Sequence, residues 1–287
     1  MTQAVADPDA LEREAERIVR EVGIPPCPTT LTAVVREMRR DEPDLRKLSA
    51  LVSSDVGLSA TLLKTVNSPF YGLSVKASTV QQAFSILGLR AGANLITGLL
   101  LRQAFPVSSN SLMEEFWERS MRLAGAAAAL APRLRCCNRD QAHTFALFRD
   151  CGLAVMIRKF PMYVDIVDYT AAEPGQPITE IENIRYQVSH ARVGYALARS
   201  WHLPETLGQA ICHHHDLALI SSGTLALSSD SARLIALGLL AEQLCAIKAG
   251  KPACPDWTQG AQLVTDAFGL EADEIAALAV ELGEALG

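Results

Sequence analysis

His213, His214 and His215 stand in a row, and imidazole is both a common transition-metal ligand and the side chain whose charge changes near neutral pH. Such a triplet can attract a metal, or it can close a helix, where imidazolium suits the negative end of the dipole. His190 follows Ser189 near the start of an apolar-periodic stretch, where a histidine reads either as a ligand or as a hydrogen-bonded contact between helices. Asp150 lies in the run LFRDCG, between Arg149 and Cys151. A thiol beside a carboxylate at an apolar helix start has its pKa raised, so Cys151 reads as core and not as a nucleophile. The chain has no G-x-S-x-G elbow and no glycine-rich phosphate loop of either common pattern, which leaves nucleophilic catalysis without a motif. Its seven cysteines form no C-x-x-C pair, so neither a disulfide framework nor a zinc ribbon is indicated. Adjacent Cys136 and Cys137 read as small apolar residues at a helix end sooner than as a redox switch.

The elements that must position these residues are helices throughout. Asp7-Pro8 opens a helix to about Val22, which GIPPCP breaks. Thr29 or Thr30 caps a second helix through Arg40, and Leu45, Leu48, Leu51 and Val52 space a third. Asp55 starts a fourth, with Leu58, Leu62 and Val66 on one face and Ser68-Pro69 as its stop. Helices over 78–87 and 89–105 turn at Gly88. VSSNS at 107–111 is the best linker, and Ser111 with Glu114 makes a capping box for a helix to about Leu134. The AGAAAALA run inside it implies close approach of a neighbour. Further helices are expected at about 140–150, 152–160, 162–171, 190–199, 204–213, 231–249, 258–268 and 273–286, with EPGQP as a loop and Thr179/Glu182 as a second capping box. No segment alternates with period two for more than a few residues. The expected fold is all-α, with two packed helical subdomains at 1–106 and 110–287. Leu234, Leu237, Leu240, Leu244 and Ile247 form a stripe that needs cover, from the second subdomain or from a second copy in a homodimer.

A formal charge of −6 gives no broad basic field. Arg13, Arg17 and Arg20 recur along one helix, but Glu12, Glu14, Glu16 and Glu21 are interleaved with them, which reads as a solvated, ion-paired face and not as a nucleic-acid surface. No eighteen-residue apolar run and no signal-peptide pattern occurs; a cytoplasmic protein is expected.

The run DVGLSA at 55–60, then LLKTVNSPFYGLS and VQQAFSILGLRAGANLI, resembles the HDOD domain family of bacterial signalling proteins. The resemblance extends over PPCPTTL at 25–31, FWERS at 116–120, FALFRDCGLAVM at 145–156 and HARVGYALARSWHLPETLGQAICHHHD at 190–216, some two hundred positions in all. It implies that the second subdomain has a degenerate form of the HD phosphohydrolase fold. In HD phosphohydrolases a histidine, an adjacent His-Asp pair and further His or Asp side chains hold one or two divalent metals, which activate water. Carried onto this chain, the first histidine falls on Arg119, the His-Asp pair on Arg149-Asp150, and a His-His pair on His214 and His215. A guanidinium has no lone pair to donate and repels cations, so no hydrolytic metal and no cofactor is expected. Arg119, Arg149, Asp150, His190, His214 and His215 then line a vestigial pocket. Either its arginines hold an anionic ligand such as a nucleotide, or Arg149 pairs with Asp150 or another acid and closes it. Asn67, Ser68, Pro69, Phe70 and Tyr71 form a corner that either fixes a helix crossing or binds a partner. The resemblance implies a non-catalytic regulatory protein acting on an unknown signalling protein in trans; the alternative is a degenerate metal-dependent phosphodiesterase acting on a cyclic dinucleotide.

Overall fold

The computed structural model describes residues 8–67, 76–105, 111–166 and 177–285. Every regular element among them is helical, and none of these helices is long and apolar enough to cross a membrane. The chain forms two compact units, Pro25–Asn110 and Met1–Ile24 with Ser111–Leu286. The smaller unit thus interrupts the larger one in sequence. Residues before Ile24 belong with the second unit, because Leu11, Ala15, Ile18 and Val22 recur at four, three and four residues and bury one helical stripe.

Helices α2 (Thr29–Met38), α3 (Leu45–Ser53), α4 (Val56–Val66), α5 (Val80–Leu87) and α6 (Leu89–Ala104) make the inserted unit. Short polar side chains start three of them: Asp44 accepts from the Arg46 and Lys47 amides, Asp55 from Leu58 and Thr79 from Gln82. Thr29 does not cap; it is the first helical residue, after Pro28. Val34, Leu48, Val52, Leu62, Val66, Phe84, Ile96 and Leu101 fill the core. Gly88, at φ 80°, turns α5 into α6. Of the expected corner, Ser68, Pro69, Phe70 and Tyr71 lie outside the described residues. Asn67 clamps the backbone across it, its amide donating to the Ala77 carbonyl and its oxygen accepting from the Ala77 amide, both at 2.8 Å.

The other unit contains α1 (Pro8–Ile18, continued by a π turn at Val19–Gly23), α7 (Ser111–Leu134), α8 (Arg139–Phe148), α9 (Cys151–Lys159), α10 (Ile178–Tyr186), α11 (His190–Ser200), α12 (Glu205–His213), α13 (Leu217–Ser221), α14 (Ser229–Lys248), α15 (Trp257–Phe268) and α16 (Ala272–Ala285). Ala124, Ala126, Ala127 and Ala131 of α7 are buried, and α8 packs closely on that helix. Helix α14 packs against α7, α8, α12, α15 and α16, which buries Leu234, Leu237, Leu240 and Leu244 within the unit. Helices α9 and α11 touch at glycines. A Cβ on Gly152 would stand 1.9 Å from the His190 carbonyl oxygen and 2.8 Å from the Gly194 nitrogen. No side chain fits there, and the crossing brings the start of α9 to the start of α11.

Candidate functional site

That crossing creates the site. Asp150 is the residue before α9, His190 the first of α11, and His214 and His215 follow directly after α12. The Ser189 hydroxyl accepts from the Arg192 amide and so fixes where α11 begins. One ligand-capable atom from each of Asp150, His190, His214 and His215 lies within 4.8 Å of the others. Asp150, His190 and His214 are buried and His215 nearly so. His213 points elsewhere, its Nδ1 2.7 Å from Asp216.

Both arginines are present and both are engaged by carboxylates. Arg149 Nη2 donates to Asp150 Oδ2 at 3.1 Å and to Glu242 Oε2 at 2.8 Å, with Nε 3.3 Å from Asp150 Oδ2. Arg119, half exposed, donates to Glu242 Oε1 at 2.8 Å and lies 3.7 Å from Asp150 Oδ2. Burial opposes the charged form of Arg149, but Asp150 and Glu242 outweigh it and hold the guanidinium pKa above its ordinary value. Burial likewise opposes the Asp150 carboxylate; Arg149 and then His214 nevertheless hold its pKa well below the usual range. Of the two expected arrangements, Arg149 pairing with acids is the one found. The Arg149 guanidinium is turned to carboxylates and presents no free fork to an incoming anion.

Three acids of the site have no counterpart among the expected pocket residues: Glu182, Glu242 and Asp256. Glu182 does not complete a capping box with Thr179. It is fully buried and accepts from the Tyr163 hydroxyl and from the His190 backbone amide at 2.9 Å, while His190 Nδ1 lies 2.9 Å from both its oxygens. Asp256 Oδ2 holds His215 Nδ1 at 2.7 Å, and His214 Nδ1 faces the Ile211 carbonyl at 2.8 Å. Burial opposes ionisation of Glu182 and Asp256, yet His190 lowers the pKa of the first and His215 that of the second. Burial, reinforced by His215, pushes His214 down to about 4. The pKa of His215 is raised, Asp256 prevailing over burial. Against Arg119 and Arg149 stand Asp150, Glu182, Glu242 and Asp256, so with neutral imidazoles two negative charges are uncompensated.

Cys151, fully buried, is core: burial and then Asp150 push its thiol pKa up. Cys136 and Cys137 lie with their sulfurs 3.7 Å apart, both partly buried, just after α7.

Comparison with known proteins places this all-helical chain in a family. The sequence profile of the HDOD domain matches residues 24–217. The chain belongs to the HDOD domain family. It is 29% identical over 199 residues to an uncharacterized protein of Treponema pallidum (strain Nichols), a match spanning 68% of this chain and 38% of that protein. Its fold is similar to the crystal structure of an HDOD domain protein of unknown function from Geobacter sulfurreducens, with a TM-score of 0.71 and 19% identity over 98% of this chain and 96% of that one. It is also similar to a provisionally assigned signal transduction protein of Marinobacter aquaeolei VT8, with a TM-score of 0.75 and 20% identity over 99% and 65%. A provisionally assigned phosphohydrolase of Shewanella amazonensis SB2B gives a TM-score of 0.70 and 20% identity over 99% and 95%. At these identities the likeness concerns the fold.

Proposed function

We propose that the protein is a non-catalytic regulatory module that acts through a signalling protein bound in trans. One observation carries this reading. Arg119 and Arg149, at the positions where the HD hydrolases place histidines, donate to Glu242 and Asp150 and have no lone pair for a metal. A dinuclear hydrolytic centre needs ligands on that side, and the ion pairs occupy it. A signalling role accords with the Marinobacter protein's description. A pocket for a nucleotide or other anion finds less support, because the Arg149 guanidinium already faces carboxylates. The alternative, a degenerate phosphohydrolase, draws on the histidine and aspartate cluster that survives beside the arginines.

A hydrolysis assay separates the two. With bis(p-nitrophenyl) phosphate and with cyclic dinucleotides, in the presence of manganese, we expect no turnover above a His215→Ala, Asp150→Asn control. Turnover that the control loses would establish the enzyme reading instead.

A further inference from the structure

The turn between α7 and α8 brings two thiols together. Arg135, at φ 48°, stops α7 in the left-handed conformation, and the Cys136 amide reaches back to the Ala131 carbonyl at 3.4 Å, the wide closing bond of a Schellman stop. Asn138 then caps α8, its side chain accepting from the Gln141 amide at 2.8 Å. Cys136 and Cys137 are the two residues between these fixed ends. Their Sγ atoms lie 3.7 Å apart, and both residues are partly exposed. Arg233 of α14 reaches the same turn: its Nη2 donates to the Arg135 carbonyl at 3.4 Å, while its Nε is buried with no acceptor among the described residues. The hydrogen bond from Cys137 lowers the Cys136 pKa to about 7, with burial opposing and Arg233 assisting. The same bond, with burial, raises Cys137, which therefore keeps its proton. Elsewhere burial pushes the thiols of Cys151, Cys212, Cys245 and Cys254 up. The turn thus sets a thiolate and a thiol side by side within reach of solvent, the two partners that oxidation at sulfur requires.

We propose that Cys136 and Cys137 are a hydroperoxide-reactive pair that closes to a reversible vicinal disulfide. The Cys136 thiolate attacks the terminal oxygen of the hydroperoxide, the O–O bond breaks, and the departing alkoxide takes a proton from solvent, leaving Cys136 as a sulfenic acid. The Cys137 sulfur then attacks the Cys136 sulfur: an S–S bond forms, the S–O bond breaks, and the hydroxyl leaves as water with the Cys137 proton. Two electrons pass from the pair of sulfurs to the peroxide, which ends as an alcohol and water. Adjacent α-carbons are about 3.8 Å apart, short of the roughly 4.4–6.8 Å that a relaxed disulfide spans, so the ring is strained and thiols reopen it readily. Such a bond reports an oxidant and does not brace a fold. Drawing the sulfurs together pulls on the turn that joins α7, which carries Arg119, to α8, which Arg149 ends. This inference stands apart from the regulatory reading, which the hydrolysis assay tests separately.

The test treats the reduced full chain with one equivalent of tert-butyl hydroperoxide, blocks the remaining thiols with iodoacetamide and weighs the tryptic peptide Cys136–Arg139. We expect that peptide unalkylated and lighter by two hydrogens, its thiols consumed at least tenfold faster than those of the other five cysteines, and full reversal by dithiothreitol. In Cys137→Ser a sulfenic acid should accumulate at Cys136 and be trapped by dimedone, Cys136→Ser should react at least tenfold more slowly, and Arg233→Gln should slow the reaction several-fold. Should a variant fail to fold, the wild-type masses and rates still decide. Oxidation of the pair no faster than of the other cysteines, a sulfenic acid formed first at Cys137, or a sulfinic acid or a disulfide-linked dimer in place of the closed ring would each overturn the proposal.

Discussion

Among the described residues of the inserted unit, the buried polar side chains are Glu37, Ser49 and Thr97, while the larger unit buries Arg149, Asp150, Glu182, His190, His213 and His214, with others besides. The first unit is held by apolar stripes meeting across short helices. The second carries an ionic network at its centre, and buried ion pairs seldom repay the cost of removing them from water. Cohesion alone does not account for it. Among the described residues, the ionic network that an apolar core does not need lies in the larger unit.

The sharpest way to break this contrast is at the glycines. Gly152→Ala drives a methyl into the backbone of α11, which cannot retreat without separating Asp150 from His190. We expect a loss of about 4 kcal/mol or more in urea unfolding, or no folded protein. In the inserted unit, Gly92→Ala meets the Phe84 ring at 2.4 Å, a side chain that can turn, and should cost about 1–3 kcal/mol. Equal losses would erase the distinction.

Next comes the network itself. Arg149→Met keeps the bulk but leaves Asp150 and Glu242 with half-exposed Arg119 as their remaining guanidinium, at a cost of about 3 kcal/mol. Adding Glu242→Gln should recover part of it, seen as a return of the denaturation midpoint. Glu37→Gln in the inserted unit retains an oxygen for the Asp44 amide and should cost about 1 kcal/mol or less.

A further effect is expected on pH dependence. His143, buried in α8, has its pKa lowered to about 4 by burial, with Asp140 opposing. Its folded pKa lies below the ordinary 6.5, so the unfolded chain binds the proton first as pH falls. Stability is therefore present above pH 6.5 and drains away as pH drops toward 4, by about 2 kcal/mol at pH 5. His214 adds to this trend, and His215, whose pKa is raised, opposes it. Thermal melts of His143→Leu should show a flatter slope from pH 6.5 to 4; an unchanged slope would show that His143 is not the group responsible.

The helices were legible because their signals are local. Asp55 before an apolar face, Gly88 between two runs and Pro204 before α12 each act within one turn, and each element begins or ends where they stand. The pocket positions Arg119, Arg149, Asp150, His190, His214 and His215 followed from the family resemblance, and the structure brings all six together. Glu182, Glu242 and Asp256 did not show. Glu182 mimicked a capping residue at the right spacing from Thr179, and its true partner, His190, lies beyond the end of its helix. Glu242 belongs to a site formed with α7 and α8, over ninety residues away in sequence, and no short pattern announces a partner at that distance. The Leu234 to Leu244 stripe showed a need for cover and could not say what supplied it.

The docking of α1 has a consequence for how the chain acquires its shape. Glu12 and Glu14 pair with Arg199 and Arg192 of α11, so α1 leaves the ribosome before the whole inserted unit and well before the helix on which it docks. Closing so long a loop is entropically costly, and non-local pairing of this kind comes late in folding. The apolar stripe of Leu11, Ala15, Ile18 and Val22 must wait in water during synthesis, and its docking completes the larger unit only after the intervening unit has emerged whole.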